Sequence, residues 1–173
     1  MSVAQHTMLL ETPVGPLVLG EGDGSLLGLR LPDVADGGAL TPSPAAGWPP
    51  PGRPTPLLRL VADQLVAFFA GELTRFELPL MLEGTTFQRR VWHELRQIPY
   101  GGTATYGEIA ERVGSPGASR AVGLANNRNP VPIIVPCHRV VGADGALVGF
   151  GGGLACKRWL LDHESGSDQL FTL

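Results

Sequence analysis

A cysteine followed directly by a histidine, Cys137-His138, stands inside the run Ile133-Ile134-Val135-Pro136-Cys137-His138-Arg139-Val140-Val141. A thiol beside an imidazole can act as a nucleophile when the ring takes its proton, and the ring works best when a carboxylate fixes its tautomer. The β-branched run predicts a buried strand that delivers Cys137 into a turn fixed by Pro136, holding one thiol rigidly. Cysteine also packs as a small buried hydrophobe, and the motif alone leaves that reading open. Thiolate chemistry needs an electropositive neighbourhood, which only His138 and Arg139 supply nearby in sequence. Among the carboxylates, Glu108 and Glu111 have structural duties at hand, whereas Glu164, borne on the last predicted helix, is the candidate partner of His138. An ordinary surface Glu164 is the competing reading, and spacing does not decide between them.

The elements that must position these groups fill the second half of the chain. Thr86 is the expected N-cap of a helix whose buried stripe is Phe87, Val91, Trp92, Leu95 and Ile98, ended by Pro99-Tyr100-Gly101-Gly102. Thr105-Tyr106-Gly107-Glu108 matches a capping box and predicts a helix from Tyr106 to Val113. Gly114 closes it, and Ser115-Pro116 is expected to open a second helix over residues 117–126. Two short helices at so tight a turn have the outline of a helix-turn-helix. On the second helix Ala118, Ser119, Ala121 and Gly123 are small and Arg120 is the only basic side chain. Such a surface suits close packing in the core, or equally close approach to DNA at a narrow groove. Asn129 precedes Pro130 and can cap a turn. Gly142-Ala143-Asp144-Gly145 reads as a turn, and Gly149-Phe150-Gly151-Gly152-Gly153 as a loop whose amides can approach a ligand, without the lysine or spacing of a phosphate-binding loop. Residues 154–164 form the last helix, burying Trp159, Leu160 and Leu161, with a frayed tail from Ser165.

The first half reads differently. Residues 7–11, 15–20 and 26–31 are short apolar runs between turn signals and suggest an antiparallel meander. Residues 32–56, crowded with Pro, Gly and Ala, read as a long mobile loop and an inert insertion. Residues 57–71 have helical spacing and should cover one face of the sheet, and residues 76–82 read as a strand pushed to an edge by Pro79. Glu83-Gly84 marks a boundary between domains 1–84 and 85–173.

At 173 residues, 43% of them apolar, the chain can bury a real core. No apolar run approaches the roughly 20 residues that span a bilayer, and the first residues lack the form of a signal peptide, so a cytoplasmic location is expected. Cys137 and Cys156 are not at metal-ligand spacing, and free thiols are the default. A net charge of −3 argues against a generic polyanion binder, but the charge is uneven. Residues 1–85 carry four basic and nine acidic side chains, a net of −5, while residues 86–164 carry nine and six, a net of +3. Only the second half could face phosphates. Twelve of the thirteen basic residues are arginine, Lys157 being the exception, which genomic base composition explains as well as function does.

Taken together, Asn129-Pro-Val-Pro-Ile-Ile-Val-Pro-Cys137-His-Arg-Val, with Tyr106, Arg120 and the helix-turn-helix before it and Gly151-Gly-Gly and Trp159-Leu-Leu-Asp-His-Glu164 after it, resembles the O6-alkylguanine-DNA alkyltransferases, or methylated-DNA–protein-cysteine methyltransferases. The likeness runs from Thr86 to Glu164 without an evident gap. It implies an α/β (α+β) fold: a small antiparallel sheet with a covering helix, ribonuclease H-like, then a mostly helical, winged helix-turn-helix-like domain with the reactive cysteine. It also implies single-turnover, suicide transfer of an alkyl group from O6-alkylguanine, and secondarily O4-alkylthymine, to Cys137. The helix carrying Ala118, Ser119, Ala121 and Gly123 would enter the minor groove while Arg120 fills the space of the flipped base. His138, through a water and oriented by Glu164, would help form the thiolate. Tyr106 would donate to guanine N3, the amide of Gly151 would meet the alkylated oxygen, and the carbonyls of Cys137 and Val140 would read the exocyclic amine. Asn129 would hold the turn, and Pro132 and Phe150 would wall the alkyl group.

The implied partner is double-stranded DNA with alkylated bases, with no cofactor, no membrane and no obligate protein partner; a monomer is expected, with cooperativity on DNA left open. Two positions depart from many relatives: Phe150 stands where tyrosine is usual, and Gly151 where some have serine. Some relatives hold zinc in the first domain, but residues 1–85 contain only His6 and no cysteine, so no metal is expected. Two other readings compete. A lesion sensor of the alkyltransferase-like type usually lacks the cysteine, which is present here, and a Cys-His hydrolase of acyl substrates leaves the helix-turn-helix unexplained.

Overall fold

The computed structural model describes residues 2–43 and 45–166. The chain divides into two compact units, Met1–Glu83 and Gly84–Leu173.

In the first unit, β1 (His6–Leu10), β2 (Leu17–Gly22) and β3 (Ser25–Arg30) form an antiparallel sheet in that order. Asp23 and Gly24 both take positive φ between β2 and β3, the two-residue turn whose twist matches that of the flanking strands. Helix α1 (Pro56–Phe69) starts with Thr55 as N-cap and Pro56 at its first position. It lays Leu58, Val61, Ala62, Leu65 and Phe68 on all three strands, as the periodicity predicted. Each fully buried large side chain there contributes roughly 1.5–3 kcal/mol.

Two expectations for this unit fail. Residues 32–56 are not a structureless insertion, because β4 (Asp33–Val34) pairs with β5 (Leu40–Thr41), and residues 48–52 meet the sheet. Thr7 donates its hydroxyl to Pro49 O at 2.8 Å, Gly52 N donates to Thr7 O, and the Trp48 ring lies where a Cβ on Gly20 would be. Residues 76–82 are not a strand. Only Leu80 bridges to Leu26, while the Glu77 amide is taken by the Gln64 side chain on α1.

In the second unit α2 (Thr86–Leu95) packs with α3 (Tyr106–Arg112) and α4 (Ser119–Asn127), and Trp92 Nε1 donates to Ala125 O at 2.8 Å. The N-cap of α2 is Thr85 rather than Thr86, because Thr85 forms the reciprocal capping box with Gln88. Ile98 is buried beyond the end of that helix. The Thr105–Glu108 capping box on α3 forms as expected. Helix α4 begins two residues later than expected: Ser115 O accepts from Ala118 N, so Ser115-Pro116 belongs to a turn, and Ala118 is the N-cap.

The largest correction concerns residues 133–141, which are not one strand. Pro132 bridges Val135 around a turn at Ile133-Ile134, Cys137–Arg139 form one turn of 3-10 helix, and only β7 (Val140–Val141) is extended, pairing in parallel with β6 (Ala104–Thr105). Pro130, Pro132 and Pro136 punctuate the run too often for a ladder to form. Helix α5 (Leu154–Ser165) ends on Gly166 in the left-handed conformation. Ser165 is thus helical rather than frayed, and the rest of the expected tail, residues 167–173, lies outside the described residues. The fold is mixed α/β, and among the described residues no helix is long and apolar enough to cross a membrane.

Candidate active site

Every residue from Val131 to Val141 is buried, and Cys137 lies within this block. Its backbone is fixed by the turn before it, Cys137 N donating to Val135 O at 2.8 Å. Ile133 sits at φ +74, a left-handed conformation rare for a β-branched residue and costing on the order of 1–3 kcal/mol. The bond from Val135 N to Val131 O at 2.9 Å closes the turn and enforces it. The Asn129 side chain and the Ile133 and Cys137 amides favour the thiolate electrostatically. Asn129 also donates to Val135 O at 2.7 Å and accepts from Val131 N at 3.0 Å, so it braces the turn from both sides.

His138 is fully buried, and its Nε2 lies 2.7 Å from Glu164 Oε1 on α5. Donation from Nε2 to the carboxylate leaves Nδ1 as the unprotonated acceptor, and Nδ1 is buried without a protein partner among the described residues. Arg139 grips the same carboxylate with two bonds, Nε to Oε2 at 2.8 Å and Nη2 to Oε1 at 2.9 Å, and donates Nη1 to Ile98 O. Burial works to raise the Glu164 pKa, but the bonds and charges of His138 and Arg139 outweigh it and hold it at about 2. Glu164 is thus a fixed anion.

Burial dominates the other two groups. It pushes the Cys137 thiol up to about 11 against the opposing pull of Asn129, Lys157 and the two amides, and it pushes His138 below its ordinary range despite Glu164. At rest the pair is a neutral thiol and a neutral ring. At pH 7 the thiolate fraction is then about a hundredfold or more below that of a free cysteine. Carbamidomethylation of Cys137 by iodoacetamide, read by peptide mass mapping, should be correspondingly slow at neutral pH and rise about tenfold per pH unit up to about pH 10. A plateau near pH 7 would contradict a buried neutral thiol.

Around this centre Tyr106, the first residue of α3, donates its hydroxyl to Val148 O at 3.0 Å, and burial followed by the nearby Cys137 raises its pKa. Pro132 and Val140 are buried in the thiol segment, Phe150 is half-buried and Gly151 exposed in the loop before α5. Cys137 O already accepts from Asn126 Nδ2 and Val140 N, and Val140 O from Lys157 Nζ, so each could take a further donor only by sharing its oxygen. On α4, Val122, Ala125 and Asn126 face inward while Arg120, Ala121, Leu124, Asn127 and Arg128 form one exposed face. Ala121 is therefore not small for the sake of core packing, and Leu124 is 65% exposed. Ala118, Ser119 and Gly123 are half-buried beside that face.

Residues 86–166 match the family model described as 6-O-methylguanine DNA methyltransferase, DNA binding domain. The methylated-DNA–protein-cysteine methyltransferase of Mycobacterium tuberculosis is 51% identical over 160 residues, 92% of each chain. The chain belongs to this methyltransferase family. The family member of Methanosarcina acetivorans is 48% identical over 90% of this chain and 96% of its own. Among solved structures, M. tuberculosis OGT in complex with DNA superposes with a TM-score of 0.77 at 50% identity, covering 93% of both chains.

Within this methyltransferase site, sequence reasoning missed three groups. Arg139 lay inside the quoted motif, but nothing local revealed that it shares Glu164 with His138. Asn126 closed the helix expected over residues 117–126 with no role given to it, whereas its side chain reaches Cys137 O. Lys157 had left a signal as the only lysine in an arginine-rich chain. It is fully buried and donates to Val140 O at 2.6 Å and Val148 O at 2.9 Å.

Proposed function

We propose that the protein repairs DNA by direct reversal, moving the alkyl group of O6-alkylguanine, and of O4-alkylthymine, irreversibly to the sulfur of Cys137. The observation that carries this reading is the buried Cys137 thiol in the same unit as the buried His138–Glu164 pair and the exposed face of α4 that bears Arg120 and Ala121. Double-stranded DNA is the expected partner, since the M. tuberculosis relative was solved in complex with DNA.

A base inside a duplex is out of reach of a buried thiol and has to be rotated out of the stack. The small residues Ala118, Ser119, Ala121 and Gly123 let the backbone of α4 approach the minor groove, and Arg120 takes the place of the extruded base. In the pocket Pro132 and Phe150 wall the alkyl group, the Gly151 amide meets the alkylated oxygen, and the carbonyls of Cys137 and Val140 accept the exocyclic amine. A sulfur–carbon bond forms as the carbon–oxygen bond breaks, and the electron pair leaves on the guanine. Tyr106 exchanges its bond to Val148 O for one to guanine N3 and stabilises the departing base. The thiol proton passes through a water to Nδ1 of His138, Glu164 stabilises the imidazolium, and over the whole reaction that proton ends on the guanine. The resting thiol is neutral, so the thiolate forms only with substrate in place. No group in the site cleaves a thioether, so each molecule acts once.

Incubation with a duplex carrying labelled methyl on guanine O6 tests the reading. One label per protein is expected, and none for Cys137→Ala. Transfer exceeding one equivalent, or binding of the lesion without transfer as in a sensor, would overturn it.

A further inference from the structure

Away from the thiol, a cleft of about 380 Å³ lies between α2 and the C-terminal end of α3, lined by Arg89, Arg90, His93 and Glu94 on one side and Arg112 and Val113 on the other. Three guanidinium groups meet one carboxylate there, a formal charge of +2 over those four side chains. Arg90 is committed: its Nη2 donates to Val113 O and lies against Gly114, which fixes the cleft to the turn leading into α4. Arg89 and Arg112 are exposed, and among the described residues neither makes an ion pair or a side-chain hydrogen bond, although the charge of Arg112 reaches Glu108. Gathering unpaired cations in one concavity is electrostatically unfavourable until an anion enters. Helix-turn-helix proteins present their second helix to a groove while the first crosses the phosphate backbone. Helices α3 and α4 pack against each other as consecutive helices of such a motif.

We propose that this cleft seats phosphates of the DNA strand flanking the lesion, with Arg89 and Arg112 as the contacting groups and Arg90 as a fixed wall. The proposal rests on the DNA-repair reading. Duplex affinity of Arg89→Ala/Arg112→Ala, measured between about 50 and 200 mM salt, should show a slope of log affinity against log salt reduced by about 2, at roughly 0.9 per lost phosphate contact, and affinity on the order of tenfold or more weaker at the lower salt. Arg89→Lys/Arg112→Lys should restore most of the slope, because the point charge is kept. The rate with free O6-benzylguanine and the thermal midpoint should match the wild type. An unchanged slope alongside normal methyl transfer overturns the cleft alone, as does an equal loss on the free base. A wild-type protein that transfers no methyl from duplex overturns the repair reading and the cleft with it.

Discussion

Glu164→Gln is expected to weaken the fold by about 3–5 kcal/mol and to remove most alkyl transfer at the same time. Glutamine keeps the shape of the side chain but leaves the buried guanidinium of Arg139 without its counter-charge, and it no longer stabilises a protonated His138. Denaturant unfolding and the rate with an O6-methylguanine duplex read the two losses. The pH dependence supplies an internal check. The Glu164 pKa is held at about 2, below its ordinary value of 4.5, so its stabilisation is fully present above 4.5 and is lost as pH falls towards 2. The stability gap between wild type and Glu164→Gln should therefore narrow over that window. Parallel curves would mean that the carboxylate is not held as the geometry indicates.

Arg120→Ala should slow repair in duplex DNA by about a hundredfold while leaving the reaction with free O6-benzylguanine nearly untouched. Extruding a base costs a few kcal/mol, and every 1.4 kcal/mol of lost compensation is a factor of ten. Arg120 is exposed on α4 and is absent from the hydrogen bonds and ion pairs around Cys137, so its removal should not disturb the thiol. Equal losses on both substrates would contradict a role in extrusion.

What could be read from the sequence followed the reach of the physics involved. The Thr105–Glu108 capping box, the apolar stripe of α1 and the meander depend on residues close in sequence, and they were legible to within a few positions. The stretch around Cys137 misled because β-branched residues favour strands, whereas closely spaced prolines and a left-handed Ile133 impose a turn and a 3-10 segment. Residues 32–56 misled for the opposite reason: their composition offers no periodicity, yet β4 and β5 pair with each other inside the stretch, and Trp48, Pro49 and Gly52 meet the sheet at Gly20 and Thr7. In the site, Cys137 and His138 announced themselves as neighbours. Glu164 is 26 residues from His138, and only the resemblance singled it out with conviction. Lys157 was discounted because a charge count records how many cations a chain has and says nothing about which one is buried.

Helix α5 holds the thiol segment at two points, Lys157 on the carbonyl of Val140 and Glu164 on the side chains of His138 and Arg139. The two anchors are seven residues apart, almost two whole turns, so they project from one side of the helix. The helix thus serves as a gauge of fixed length laid along residues 138–140. Substitutions on its far side can drift freely, but gaining or losing a single residue between the anchors would swing one of them about 100° out of line. Length variation among relatives should be absent from this interval and collect instead at open turns such as Asp144-Gly145.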